Sequence, residues 1–250
     1  MPRRYAGPLQ PGRKSAYVKG LRRNRKPATK RGLVALMKNV QLKQCETRRS
    51  TKFVEGNNMT HNVSWYEQNF LKTTQGDSQA PGMSTNTDNR EGASIVAKGI
   101  KFKFHYLTAV DRPNSLLQIY IFQYKANTTI SDANFWRGTD GAGGNMPRTV
   151  DMPNTNHVRI LGKIVIQNQN NYSTSAVTNG TTDNNRVNGR IVEKYIPLKN
   201  KLVKYERPDG SIPTWKDIGF AAVSYDANNT TQTDILGYLS YSSTLYFKDP

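Results

Sequence analysis

The stretch IVAKGIKFKFHYL, residues 95–107, constrains the fold more than any other part of this chain. From Ile100 to Tyr106, apolar and basic residues alternate: Ile100, Phe102, Phe104 and Tyr106 against Lys101, Lys103 and His105. Side chains of an extended strand point alternately to its two faces, so this pattern builds a half-buried antiparallel strand. One face belongs to a core and the other to water or to a partner.

Other strand signals surround it. SLLQIYIFQYK, residues 115–125, reads as its hairpin partner across a turn at Asp111–Asn114. Further strands are expected at 157–167, 189–197, 202–206, 219–226 and 235–247, and the segments 51–55 and 62–70 are strand candidates at the entry to the domain. ISDANFWRG is the best short helix in this region, capped by Ser131 or Asp132. Residues 53–250 are rich in Asn, Thr, Ser, Tyr, Ile and Val and lack the long Leu/Ala/Glu stretches of helical domains. The loops at 137–156 and 168–188 are long for a compact β domain and are expected to serve function or an interface. Seven or eight strands without a fixed-period repeat indicate an all-β sandwich or jelly roll over 44–250.

Charge divides the chain differently. Residues 1–52 hold 16 Lys and Arg against one acid, Glu46, whereas residues 53–250 hold 20 basic residues against 17 acids. The formal net charge of +18 is therefore almost wholly an N-terminal property. A polycation this dense repels itself and buries too little apolar surface to offset ordering, so residues 1–31 are expected to be disordered alone. Within the arm, residues 1–43, Leu33, Leu36, Met37 and Val40 recur at helical spacing. A short helix is expected near 33–43, marginal unless it packs on something.

Charge segregation of this kind implies a polyanionic partner. The nucleic-acid-binding candidates are Arg3, Arg4, Arg13, Lys14, Lys19, Arg22, Arg23, Arg25, Lys26, Lys30, Arg31 and Lys38 in the arm, with Lys101 and Lys103 on the alternating strand. Arg22, Arg23, Arg25, Lys26, Lys30 and Arg31 also have the density of a nuclear-import signal, which would make host import receptors partners.

Catalysis finds no residue set. His61, His105 and His157 lie in separate segments without metal-ligand spacing, and no His-Glu-x-x-His, Gly-x-Ser-x-Gly or Cys-pair motif occurs. Gly7–Gly12 followed by Arg13, Lys14 and Ser15 mimics a phosphate-binding loop, but no apolar strand precedes it and two prolines occupy amide positions. No enzyme activity, metal or cofactor is expected. Cys45 is the only cysteine, which excludes an intrachain disulfide and fits a reducing compartment. No run of about 18 apolar residues exists, so no membrane insertion is expected. The N-terminus has charge but no apolar core, unlike a secretory signal.

Five stretches, in order, carry a family resemblance: RRNRKPATKR (22–31), NREGASIVAKGIKFKF (89–104), VRILGKIVIQ (158–167), EKYIPLKNKLVKYE (193–206) and STLYFKD (243–249). With these the chain resembles the circovirus-like capsid proteins of circular, Rep-encoding single-stranded DNA viruses. It is more distantly similar to the jelly-roll coats of satellite RNA viruses. The resemblance implies an eight-stranded antiparallel jelly roll and a small icosahedral shell of about sixty copies. It also implies inward-pointing arms on a single-stranded genome, DNA rather than RNA, and passage through the host nucleus. The arm departs from the nearly pure arginine run of circoviral coats by including Gly, Pro, Tyr and Asn. Sixty arms would bring on the order of 900 positive charges inside a shell, enough for much of a genome of roughly a thousand nucleotides. The competing expectation is a cellular basic-tailed β-domain that binds nucleic acid without forming a shell.

Overall fold

Apolar and polar positions along the strands sort into two four-stranded antiparallel sheets in a computed structural model of the chain. It describes residues 34, 37, 40, 42, 44–74, 89–90, 92–109, 115–138, 147–167, 189–206, 210–226 and 231–249. The chain divides into two units, Met1–Gln44 and Cys45–Pro250. In the first, Val34, Met37, Val40, Leu42 and Gln44 are helical, and Met37 and Val40 are exposed. The second unit is all-β: β1 Thr47–Thr60, β2 Ser64–Glu67, β3 Ser94–Thr108, β4 Leu116–Lys125, β5 Val158–Gln167, β6 Gly189–Lys204, β7 Lys216–Tyr225 and β8 Ile235–Lys248. Their order is β1-β8-β3-β6 in one sheet and β2-β7-β4-β5 in the other. Strands adjacent in sequence mostly fall in opposite sheets, as in an eight-stranded jelly roll.

The alternation of β3 is realised in full. Ile100, Phe102, Phe104 and Tyr106 are wholly buried, and Lys101, Lys103 and His105 are not. Between the sheets, Phe102, Phe104, Phe70, Phe220 and Tyr241 form an aromatic cluster of edge contacts and two stacked pairs, Phe70–Phe220 and Phe102–Phe104, with Phe220 and Tyr241 ring centres 4.9 Å apart.

Two pairing expectations are corrected. SLLQIYIFQYK is not the hairpin partner of β3: β3 pairs with β6 and β8, while β4 pairs with β5 and β7. The physical reason lies in their patterns. Eight consecutive residues of β4 are buried, so that strand needs a sheet covered on both faces, and β3 needs one left open on one side. The stretches 189–197 and 202–206 are not separate strands, because β6 runs through both. It bulges at Leu198–Asn200 opposite Lys98, with Lys199 and Asn200 in the left-handed region at φ 55° and 57°. The expected strand at 62–70 shortens to Ser64–Glu67.

The helix expected in ISDANFWRG is present at Asp132–Phe135 behind Ser131. The Ser131 N–H donates to Asn134 Oδ1 at 2.8 Å, closing its first turn. This helix carries Phe135 and Trp136 onto the outer face of β4 and β7. There they bury Tyr120, Phe122, Tyr124, Ala221 and Val223 in a second core.

Candidate nucleic-acid interface

The outer face of sheet β1-β8-β3-β6 holds the two folded-domain candidates. Register places Thr51, Thr244, Lys101 and Tyr195 in one row, and Phe53, Ser242, Lys103 and Glu193 in the next. The short β8 residues between the flanking strands leave the lysine stems uncrowded. Lys101 Nζ meets Glu193 Oε2 at 2.7 Å and Lys103 Nζ meets Glu193 Oε1 at 3.6 Å. The hydrogen bond and charge of Glu193 raise the Lys101 pKa, and Lys101 in return lowers that of Glu193. The two cations thus share one anion, and a phosphate reaching this face competes with Glu193 for both.

Aromatic and aliphatic surface flanks them. Phe53 is 65% exposed, Ile191 60% and Tyr195 51%. Tyr195 lies across Gly99, where a Cβ would meet the phenol ring, so glycine there lets the ring lie flat on the strand. Sequence reasoning found the lysines but missed Glu193. Its place two residues before Tyr195 in EKYIPL was visible; its pairing with β3 was not.

Arg3, Arg4, Arg13, Lys14, Lys19, Arg22, Arg23, Arg25, Lys26, Lys30, Arg31 and Lys38 lie outside the described residues, and so does the import cluster within them. The Gly7–Gly12 loop and both long loop centres lie outside as well.

A cleft of about 500 Å³ opens at the β1/β2 edge, lined by Lys52, Tyr66, Glu67, Gln68, Asn69 and Phe70 among others. Lys52 pairs with Glu67 and lies 5.4 Å from the Phe70 ring centre. Burial, then its hydrogen bond to Asp132 at 2.6 Å, pushes the Tyr66 phenol up, so it stays protonated. Lys52 and Glu67 are each other's partner, and Tyr66 is a structural donor. Among the described residues no three His, Cys, Asp or Glu gather as a metal site. His61 Nδ1 accepts the Asp226 N–H at 3.2 Å, a loop contact.

No protein-family model and no curated protein matches the chain. Among solved structures it is similar to turnip yellow mosaic virus, at 8% identity over 83% of this chain and 96% of that one, with a TM-score of 0.32. It is similar to mud crab tombus-like virus, at 11% identity over 100% of this chain and 92% of that one, with a TM-score of 0.30. A third likeness is to the unassembled KI polyomavirus VP1 pentamer, at 12% identity over 81% and 93%, with a TM-score of 0.22.

Proposed function

We propose that this chain is a viral capsid protein whose jelly-roll domain assembles with copies of itself into a closed shell. Its basic N-terminal segment binds single-stranded nucleic acid inside. The observation that carries this reading is the division of charge: 16 Lys and Arg against one acid in residues 1–52, beside a domain with 20 basic residues and 17 acids. A cation-dense segment serves a polyanion, and a nearly neutral sandwich with an open sheet face is free to meet its own copies. The family resemblance supplies the rest: DNA rather than RNA, about sixty copies, and delivery to the nucleus by the cluster Arg22–Arg31.

Electron microscopy of the purified full chain tests the shell. Uniform closed particles are expected, and a dispersed monomer that binds nucleic acid would favour the cellular reading. Deleting residues 1–31 removes 11 basic residues and no acid. The truncated protein is expected to lose most single-strand affinity, and unchanged affinity at physiological salt would remove the role given to the arm. A fluorescent fusion of residues 1–40 tests import: nuclear accumulation is expected, and a cytoplasmic signal throughout counts against it.

A further inference from the structure

Trp215 stands immediately before β7 and is 67% exposed, the most exposed large apolar side chain among the described residues. Two lysines from different sheets lie against its indole. Lys216 Nζ is 4.8 Å from the ring centre and Lys201 Nζ, just past the β6 bulge, is 5.5 Å from it. Register sets Lys125 directly opposite Lys216, and Arg159 one strand further opposite Gln123. Burial, followed by the charges of Lys216 and Arg159, holds the Lys201 ammonium below the usual lysine range. Among the described residues no carboxylate pairs with Lys201, Lys216 or Arg159.

Two of these features are unfavourable in the domain alone. Like charges gathered around a half-buried lysine repel, and an indole left in water loses its burial. Cation–π attraction accounts for the two ammonium groups over the ring; it does not account for a third cation or for the missing carboxylate. A single kind of ligand relieves both costs, one with a flat apolar face and anionic groups spaced along its edge. A sulfated polysaccharide supplies the anions without the flat ring.

We infer that Trp215, with Lys201, Lys216 and Arg159, forms a stacking site for a nucleotide of single-stranded nucleic acid. The indole takes a base and the cations take its phosphates. The site rests on the reading that the polyanionic partner is single-stranded nucleic acid, and it adds a contact on the folded domain to that of the arm.

Tryptophan emission isolates this site in the full chain. The tryptophans are Trp65, Trp136 and Trp215, none of them in the arm, and Trp136 is wholly buried. Titration with oligothymidylate is expected to quench emission and to shield the exposed indole from acrylamide. Both effects should vanish in Trp215→Leu, whose apparent affinity at raised salt falls about tenfold. Lys201→Glu with Lys216→Glu should weaken the response while leaving the far-UV circular dichroism and the unfolding midpoint close to wild type, which controls for folding. Heparin is expected to bind the full chain without quenching. An equal response to heparin would overturn the stacking site and assign the cations to sulfated glycans. Shielding of Trp215 in assembled protein without oligonucleotide would overturn it in favour of a contact between copies. Unchanged emission while polarisation still reports oligonucleotide binding would overturn the site and leave the arm's role standing. Loss of all oligonucleotide binding would overturn both.

Discussion

The two sheets of the domain share one core but end in unlike outer faces. On β2-β7-β4-β5 the chain after β4 folds back as a lid, and Trp136 and Phe135 seal Tyr120, Phe122 and Val223 beneath them. On β1-β8-β3-β6, Phe53, Ile191 and Tyr195 stand in the open beside Lys101 and Lys103. Two carboxylates record the contrast. Asp217, at the start of the covered sheet's β7, is wholly buried, and burial pushes its pKa up to about 6. Glu193 on the bare sheet is held below its usual value by Lys101. A covered face secures the domain by itself, whereas a bare face with apolar and charged groups is surface available to another molecule.

Deleting a ring from each face should give the widest separation. Trp136→Ala removes a fully buried indole whose Nε1 donates to Ser64 Oγ at 2.9 Å, and should cost about 3–5 kcal/mol. Phe102→Ala, in the core that both sheets share, belongs in the same range of about 3–5 kcal/mol. Phe53→Ala on the bare face should stay within about 0.5 kcal/mol. Denaturant unfolding of dilute protein measures all three. A large cost for Phe53→Ala in the monomer would show that the bare face is covered from within the chain, and the contrast would collapse.

The buried carboxylate gives the next effect. Asp217 Oδ1 accepts the Leu71 N–H at 2.9 Å and the Ile218 N–H at 2.6 Å, while Oδ2 has no hydrogen-bond partner among the described residues. Its folded pKa lies above the unfolded value, so the native state holds this proton more tightly. The resulting stability is fully present below about pH 4 and is lost as pH rises through about 6. Between pH 4 and pH 7 the wild type should lose about 1–3 kcal/mol relative to Asp217→Asn, which keeps an acceptor and carries no charge. Parallel stability curves for the two proteins would mean that folding does not raise the Asp217 pKa.

The same contrast explains what could be read from the sequence. The bare sheet was legible because water on one side forces alternation, and IVAKGIKFKFHYL displays it directly. The covered sheet hides its partners. LLQIYIFQYK in β4 and DIGFAAVSY in β7 are apolar on both faces, so alternation cannot say which strand lies beside which. Adjacency in sequence then suggested a β3–β4 hairpin that the jelly roll separates. The lid was half legible: the helix in ISDANFWRG was readable from its cap, but nothing local says which face Trp136 will cover. The Trp215 site is assembled from β5, β6 and β7, so no single stretch of sequence displays it.

The smallest effect on stability carries the sharpest test of the bare face. Glu193 binds Lys101 and Lys103 from an exposed position, and exposed pairs contribute little to folding. Glu193→Gln should therefore leave the unfolding midpoint nearly unchanged while releasing both ammonium groups. If the face meets phosphate, single-strand affinity of the full chain should rise, and the slope of log affinity against log salt should steepen by up to about 1.4, roughly 0.7 for each released lysine. Lys101→Glu with Lys103→Glu should act in the opposite direction, leaving subunits folded and shells formed but less nucleic acid inside. Raised affinity in the first variant with reduced packaging in the second would make the bare sheet an interior surface. Unchanged affinity, slope and packaging in both would leave an ordinary solvated face whose lysines answer only to Glu193, with genome contact falling to the arm and the Trp215 site.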